Sequence, residues 1–295
     1  MRCRKKLTIL GGDEAGRELH GPEYETLYAF GGSCMVSHAR DVAGLNEVCN
    51  RLGMDSISSG NVLALAMKGR GLGRLDGAAG SVPEPGNAQS LRSGLESIAL
   101  RSSALGDLLA RGMDAAADAL GLADLAITSK GLDPAGYEAR KMPGMALSYA
   151  LNPRGACHLR TTLYKAELAG YLRDKDAAAY MDTFIDWEDR LLIADSLIVC
   201  RFYRDFLTWE NLLPAVSQLA GHEVGKAELM ELSTAVLTRI RRLNFAMGLS
   251  PADDTIPDRF FTEATDTAPA LDRDDFMSKI RIYWQRRGWG AEGRP

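Results

Sequence analysis

The sequence lacks the features typical of membrane, secreted and nucleic-acid-binding proteins. No uninterrupted apolar run in its 295 residues approaches the roughly 20 residues that a membrane helix needs. The basic start, "MRCRKK", is not followed by the apolar segment of a secretory signal. The cluster "RIRR" at 239–242 is typical of the solvated side of a helix, and the net charge is −4. We therefore expect no membrane, no nucleic-acid partner and a cytoplasmic location.

Cysteines are few, and their spacing shows no local pattern. There are five, and no two of them have C-x-x-C spacing. Their odd number and wide scatter in a long chain argue against a disulfide framework and indicate a reducing compartment. Local spacing alone therefore predicts no metal site. The residues concerned are Cys3, Cys34, Cys49, Cys157 and Cys200.

Helical periodicity dominates what is present. Hydrophobic residues make up 46% of the chain and charged residues 25%, so a large core can form. Apolar positions recur at three- and four-residue steps, and no strand pattern persists beyond short pieces such as "LTIL". These patterns predict a helix ending at Gly53, a helical run over 91–120, a buried helix pair over 177–200 and a helix whose Leu229, Leu232, Val236, Ile240, Leu243 and Met247 face the core.

The fold class that follows is all-α, in two packed helical domains. The segment 127–144, "ITSKGLDPAGYEARKMPG", is irregular and rich in proline and glycine. We therefore expect one domain over 1–126 and a second over 127–295.

Four stretches are too unusual for plain helix packing. "HGPEYET" (20–26) sets two carboxylates around a tyrosine, and "NPRGACHLR" (152–160) holds a cysteine, a histidine and two arginines. "NRLGMDS" (50–56) and "DSLIVCR" (195–201) share a spacing that ends at Asp55 and Cys200.

Each candidate residue also has a plain structural interpretation. Cys200 lies in an apolar run, where a free cysteine is commonly a small core residue. Cys3 can be a terminal thiol, and His158 a core histidine. Acids such as Glu25 favour the first turn of a helix, and Asp55 suits a helix N-cap.

Four stretches of the chain resemble, in the same order, segments of one family, the tungsten- and molybdenum-dependent aldehyde ferredoxin oxidoreductases. They are "GPEYET", "CNRLGMDSISSG", "YALNPRGACHLR" and "RRLNFAMGLSPADDTIPDRF". The resemblance covers nearly the whole chain but only the C-terminal, helical part of such an enzyme. It implies a [4Fe–4S] cluster, with Cys3 as the last of three upstream thiolate ligands and Cys200 as the distant fourth. Four thiolates complete the iron coordination of such a cluster.

The resemblance also implies a tungsten- or molybdenum-bis-pterin cofactor. Asn50, Gly53, Met54 and Asp55 match the first pterin-contacting turn of the family, and Asp195, Val199 and Cys200 match the second. Ile198 stands where the family has a glycine, and a side chain there crowds a close backbone approach. Glu25 and His158 are implied as the catalytic residues that move protons.

The implied reaction is oxidation of a small aldehyde to a carboxylic acid, with ferredoxin or another iron–sulfur protein as electron acceptor. The family's N-terminal pterin-binding domain and two cluster cysteines have no counterpart in the sequence, so we expect the chain alone to be incompetent. A separate chain carrying that domain, or a homodimer mate, is the expected partner. The family usually carries a charged pair where this sequence has Ala246 and Met247. The alternative is a truncated, metal-free helical scaffold or interaction module, toward which the departures at Ile198, Ala246 and Met247 lean slightly.

Overall fold

The computed structural model describes residues 5–12, 14–75 and 82–295. Within them the chain forms thirteen α-helices and one two-stranded sheet, which confirms the all-α class. The chain divides into two compact units, Met1–Gly136 and Tyr137–Pro295. The domain limits expected from the sequence, 1–126 and 127–295, stay a prediction. None of the helices in the described ranges is long and apolar enough to cross a membrane.

The first unit begins with a short hairpin and continues as helices. Strand β1 pairs antiparallel with β2, with Lys6 opposite His20. A seven-residue π-helix, Leu27–Ser33, follows the first helix directly. The elements are β1 (Lys6–Thr8), β2 (Glu18–His20), α1 (Tyr24–Thr26), α2 (Ala39–Leu52), α3 (Ser56–Gly71), α4 (Ala88–Leu100), α5 (Ala104–Leu109) and α6 (Met113–Leu120).

Close packing of α3 on the π-helix fixes the part of this unit that holds the candidate residues. A Cβ atom added at Gly60 would lie 2.7 Å from the Cβ of Ala29, so only glycine allows the two backbones to approach this closely. The thiol of Cys34 donates to the carbonyl oxygen of Gly60 at 3.3 Å on the same contact. The beginning of α3 is therefore held against the segment that follows "GPEYET".

The predicted helical run over 91–120 is broken into three helices. Arg101 adopts a left-handed conformation, with φ of +50°, and ends α4. Ser103 then caps α5, because its hydroxyl accepts a hydrogen bond from the backbone N–H of Gly106. Gly112, with φ of +92°, separates α5 from α6. The apolar spacing predicted the helical character of the segment, and the residues at 101, 103 and 112 divide it into three helices.

The second unit contains the longest helices of the described chain. Two short 3₁₀ turns, Arg201–Tyr203 and Pro251–Asp253, lie between them. The helices are α7 (Pro143–Leu151), α8 (Tyr164–Leu168), α9 (Ala177–Ser196), α10 (Trp209–Ala220), α11 (Lys226–Ala246), α12 (Arg259–Thr262) and α13 (Arg273–Arg286).

A buried charge cluster joins α9 to the end of α13. The guanidinium of Arg287 lies 2.7 Å from the carboxylate of Glu188 and 2.8 Å from that of Asp189, and all three side chains are buried. The hydroxyl of Tyr283 donates to Glu188 at 2.7 Å. The buried helix pair predicted over 177–200 is thus one helix, α9, whose partner comes from the far end of the chain.

Helix α11 is turned differently from the prediction. Its buried residues are Leu229, Ser233, Leu237 and Arg241, whereas Leu232, Leu243 and Met247 are exposed. Arg241 turns inward because it pairs with the buried Asp254 at 2.8 Å and lies 4.4 Å from the ring of Trp289. The expectation that the whole apolar stripe faces the core was therefore wrong.

Candidate functional site

The first candidate turn, Asn50 to Asp55, is the end of α2 and the beginning of α3. Gly53 adopts the predicted left-handed conformation, with φ of +69°. The N–H of Met54 donates to the carbonyl oxygen of Cys49 at 2.9 Å, which closes the turn in the manner of a Schellman motif. Asp55 caps α3, since its Oδ1 accepts from the N–H of Ser58 at 2.8 Å. The N-cap interpretation of Asp55 is confirmed.

The second candidate turn, Asp195 to Cys200, has the same backbone arrangement at the end of α9. Ile198 adopts the left-handed conformation, with φ of +58°, at the position that corresponds to Gly53. The N–H of Val199 donates to the carbonyl oxygen of Ala194 at 3.0 Å, as Met54 does to Cys49. A β-branched residue in this conformation is strained, and the side chain of Ile198 is 93% exposed.

The two turns differ in how closely another molecule can approach the backbone. No atom lies within 4 Å of a Cβ placed on Gly53, and the side chains of Asn50 and Asp55 are exposed. Met54 is partly buried and packs on the core of its unit. In the second turn the equivalent position carries the exposed side chain of Ile198 instead of a glycine. The first turn therefore offers an approachable backbone and an exposed carboxylate, which fit a polar group such as a pterin.

Glu25 lies beside the first turn because one hydrogen bond ties their neighbours together. It occupies the first turn of α1 and is half-buried. The hydroxyl groups of Thr26 and Ser56 lie 2.7 Å apart and form a hydrogen bond in which either can be the donor. Since Thr26 follows Glu25 and Ser56 follows Asp55, the two motifs that the sequence separates by about 30 residues meet in the first unit.

Asp133 is a buried carboxyl group at this site that the sequence analysis missed. Its Oδ2 accepts from the hydroxyl of Ser58 at 2.7 Å, while Oδ1 has no hydrogen-bond partner in the described chain. Burial raises the pKa of Asp133 to about 6, although the Ser58 hydrogen bond opposes the shift; the nearby charges of Asp114 and Asp55 raise it further. The segment "GLDPAG" gave only an irregular-loop signal, so no pattern marked Asp133.

In the second unit, His158 lies in a stack of aromatic rings. Its ring lies 5.8 Å from that of Tyr137, which stacks in turn on Tyr164 at 4.6 Å. The histidine is half-buried, so its imidazole is held in place without being closed off from solvent. This position differs from the core interpretation considered for His158.

Asp195 links the histidine segment to the second turn. Its carboxylate lies 3.4 Å from Nη1 of Arg160, which comes two residues after His158, and it also accepts a hydrogen bond from Arg201. A third link runs from Arg201 to the carbonyl oxygen of Arg160 at 3.4 Å. The second unit therefore links Arg160, two residues after His158, to both ends of the turn that contains Val199 and Cys200, as the Thr26–Ser56 hydrogen bond links the segments of Glu25 and Asp55 in the first unit.

The four cysteines among the described residues separate into two groups by exposure. Cys200 is exposed, which contradicts its interpretation as a core residue, whereas Cys34, Cys49 and Cys157 are buried. Burial raises the pKa of Cys34 to about 12 and that of Cys49 to about 11, so neither thiol readily forms the thiolate that binds metals.

The proposed cluster ligands cannot be paired in space. Cys3 lies outside the described residues, so the shared role of Cys3 and Cys200 stays a prediction. Across 5–12, 14–75 and 82–295, no group of three or more His, Cys, Asp and Glu side chains is arranged to hold a metal ion. One exposed thiol does not meet the four-thiolate requirement of a [4Fe–4S] cluster, so these residues alone do not fit that group.

The comparisons with known proteins identify the family of the chain. The family model described as aldehyde ferredoxin oxidoreductase, domains 2 and 3, matches residues 1–295. A tungsten-containing aldehyde ferredoxin oxidoreductase of Pyrococcus furiosus is 30% identical over 286 residues, covering 94% of this chain and 47% of that protein. One of Thermococcus kodakarensis is 29% identical over 298 residues, covering 98% and 48%.

A solved structure extends the likeness to the fold. The active-site complex BamBC of benzoyl coenzyme A reductase, solved with 1,5-dienoyl-CoA, matches with a TM-score of 0.71 at 17% identity. The match covers 98% of this chain and 49% of that one. The chain thus spans about half the length of the relatives it matches. Since the family model covers every residue, the chain belongs to the aldehyde ferredoxin oxidoreductase family, of which it represents domains 2 and 3.

Proposed function

We propose that this chain supplies the C-terminal half of a tungsten–pterin active site that oxidises an aldehyde to a carboxylic acid. The observation that carries the proposal is the repeated turn. Several helices of the described chain end in this hydrogen-bonded arrangement, and in two of them, one in each unit, the turn is followed by a metal- or proton-binding side chain, Asp55 or Cys200. Membership of the family and the tungsten-containing relatives support it.

Asn50, Gly53, Met54 and Asp55 would hold one pterin, and Asp195 and Val199 the other. Gly53 and Met54 offer a backbone that a flat ring can approach, and Asp55 an acceptor for ring N–H groups. When bound, the tungsten–pterin group supplies the two-electron oxidation. Because Ile198 carries a side chain where the first turn has Gly53, a pterin would have less access to the backbone of the second turn than to that of the first.

Glu25 and His158 are the residues that would orient the aldehyde and accept protons. Each is half-buried and each is tied to a pterin turn, Glu25 through the Thr26–Ser56 hydrogen bond and His158 through Arg160 and Asp195. A carboxylate and an imidazole are both suited to general-base work near neutral pH. Oxidation of an aldehyde to an acid consumes water and releases protons, so such acceptors are needed.

Cys200 is the one exposed cysteine of the described chain and is proposed as a cluster ligand, with Cys3 and residues of another polypeptide completing the set. Ferredoxin or another iron–sulfur protein is the proposed electron acceptor. We derive no step through the cluster, because the described residues do not complete it.

The test is aldehyde-dependent reduction of a viologen dye by an assembly of this chain with the remaining portion of the Pyrococcus furiosus relative. Both would be co-produced anaerobically with tungstate, and the assembly would be isolated by size exclusion. We expect Glu25→Gln and His158→Gln each to lower the rate by roughly 100-fold, the usual contribution of a general acid–base group.

Matched controls are available in the same chain. Glu23→Gln alters an exposed carboxylate that pairs with Lys5, and His222→Gln an exposed histidine; both should keep the rate. An assembly that holds tungsten but shows no aldehyde-dependent reduction would refute the proposed reaction. Equal rates for Glu25→Gln and Glu23→Gln would refute the role of Glu25.

A further inference from the structure

The second unit contains a cavity outside the proposed pterin, cluster and proton-transfer sites. Its volume is about 480 Å³, which lies within the range of small-molecule binding sites. Residues of α7, α8, α9 and α13 line it, together with the loops that precede α7, α9 and α13. Since all of these segments belong to one unit, the cavity is a feature of that unit alone.

Arg140 places a buried guanidinium group at the wall of this cavity. Its side chain is only 7% exposed, and its Cζ lies 4.8 Å from the ring centre of Phe260. The one carboxylate within 4 Å of it in the described chain is that of Glu138, whose Oε1 lies 3.5 Å from Nε. A charge-assisted hydrogen bond is about 2.7–2.9 Å long, and this oxygen accepts instead from the backbone N–H of Arg140 at 3.0 Å.

The guanidinium group therefore has donors to offer. Within the described part of the chain, neither Nε nor the two terminal nitrogens of Arg140 donate a hydrogen bond. A buried charge that lacks hydrogen-bond partners is unfavourable, so the arrangement indicates an anionic acceptor that occupies the cavity. The planar, two-pronged guanidinium group matches the geometry of a carboxylate.

Glu167 is the buried acid of the cavity wall. Its Oε1 accepts from the backbone N–H of Gly144 at 2.7 Å and from the hydroxyl of Tyr180 at 3.1 Å, while its buried Oε2 has no hydrogen-bond partner in the described chain. Burial raises the pKa of Glu167, although the two hydrogen bonds oppose the shift. A protonated carboxyl group can donate a hydrogen bond to an anion, so this acid is compatible with a bound carboxylate.

The other charged groups around the cavity leave an excess of cations. Asp275 pairs with Lys279, and Asp272 caps α13 by accepting from the N–H of Asp275 at 2.9 Å. Lys141 and Arg173 are exposed at the rim and form no ion pair within the described ranges. An anion entering the cavity would therefore meet unpaired positive charge at its mouth as well as at Arg140.

The rest of the wall is apolar. Leu147, Leu172 and Phe276 are buried side chains that line the cavity, and Leu271 is partly exposed beside them. Such a wall favours a ligand with an apolar body, because the body is removed from water when it binds. A single buried guanidinium group with no partner suits one negative charge, which favours a carboxylate over a doubly charged phosphate.

We propose that this cavity binds a small organic monocarboxylate. The carboxylate pairs with the guanidinium group of Arg140, and the apolar body lies against Leu147, Leu172 and Phe276. The inference rests on the cavity of the second unit and is independent of the aldehyde-oxidising function, so either can fail without the other. The isolated chain is sufficient to test it, because one unit supplies the whole wall.

Titration calorimetry of the chain with probes that share a body or a head group tests the ligand class. Hexanoate should bind with a dissociation constant of about 1 mM or lower, as expected for a ligand of this size. Hexanol and hexylammonium keep the body without the negative charge, and each should bind at least about tenfold more weakly. Acetate keeps the head group without the body and should also bind at least about tenfold more weakly.

Two variants test the location of the site. Arg140→Met keeps the length of the side chain but removes its charge, so it should raise the dissociation constant for hexanoate at least about tenfold and abolish the preference for hexanoate over hexanol. Arg281→Met changes an exposed arginine on α13 and should leave both unchanged.

Ala270→Trp fills the cavity without changing any charge and should abolish hexanoate binding. Because Ala270 is partly exposed, this variant should fold even where Arg140→Met does not. Ala264→Trp adds the same bulk at an exposed position and should bind hexanoate like the original. Circular dichroism would verify that each variant is folded.

Four results would overturn the proposal. They are no binding of hexanoate to the original chain, equal binding of hexanoate and hexanol, unchanged hexanoate binding in a folded Arg140→Met or Ala270→Trp chain, and equal weakening by a variant and its control. Inorganic phosphate that binds as tightly as hexanoate and competes with it would also contradict the proposal, because the site would then take any anion without use of its apolar wall.

Discussion

At the scale of single residues, Ile198 contrasts most sharply with its counterpart, Gly53. The two residues have φ angles of +58° and +69° in the same kind of helix-ending turn. A left-handed conformation costs an L-residue about 1–2 kcal/mol, and glycine is exempt. The same turn is therefore relaxed in the first unit and strained in the second.

Replacing Ile198 by glycine should raise the free energy of unfolding by roughly 0.5–1 kcal/mol, because relief of strain exceeds the added entropy of the unfolded chain. The exposed side chain contributes little packing to lose. Gly53→Ala is the matched counterpart and should lower stability by about 1 kcal/mol through backbone strain alone. Urea unfolding of the three proteins checks both changes. An Ile198→Gly protein less stable than the original would contradict the strained turn.

Asp133 should give the first unit a pH-dependent stability. Its folded pKa of about 6 lies above the ordinary 3.8, so the fold favours the protonated carboxyl group. The stabilisation is fully present below pH 3.8 and is lost as the pH rises through about 6. Two pKa units correspond to about 3 kcal/mol, and Asp133→Asn should remove this slope.

The measurement is the difference in free energy of unfolding between the original and Asp133→Asn proteins across that pH range. Asp118→Asn, an exposed change on α6, serves as the control, and its free energy of unfolding should vary with pH as that of the original protein does. A pH dependence that survives in Asp133→Asn would mean that another group is responsible.

At the scale of elements, the sequence predicted helix ends where one residue type determines the backbone. Gly53 ended α2 as expected, and Asp55 capped α3. The break at Arg101 was not predictable, because arginine has no preference for the left-handed conformation that it adopts there. The orientation of α11 depends on Asp254 and Trp289, whose contact with Arg241 cannot be read from local periodicity. Both helix-ending turns lie where their motifs stand in the sequence, and their role in pterin binding stays a prediction, whereas Asp133 was found only through its contact with Ser58.

Docking of α13 on α9 depends on the buried charge of Arg287. Arg287→Met should lower the free energy of unfolding by about 3–5 kcal/mol, because Glu188 and Asp189 would remain buried without their counter-ion. Arg286→Met is the control on the neighbouring position: its ion pair with Asp182 is exposed, so the change should have little effect. Thermal and urea unfolding would measure both. Equal effects of the two variants would contradict the account of this helix contact.

At the scale of the whole molecule, the chain holds one set of candidate residues in each of its two units and spans about half of its relatives. The cluster ligand set is incomplete within the described residues, which leads to a prediction for the isolated chain. Purified anaerobically, it should contain far less iron than the roughly four atoms per chain of one cubane cluster. Iron and sulfide analysis would measure this. One complete [4Fe–4S] cluster per isolated chain would contradict the conclusion that the ligand set is incomplete.

The most direct test of the central claim, that the first turn binds the tungsten–pterin group, is the tungsten content of the assembly with Asp55 replaced. Asp55→Ser keeps a capping oxygen for the N–H of Ser58 and should preserve stability, whereas Asp55→Ala should cost about 1 kcal/mol. We predict that both variants assemble but lose most of the tungsten found in the original, as measured by elemental mass spectrometry. Full tungsten content in Asp55→Ser would show that Asp55 is only a helix cap and would contradict the account.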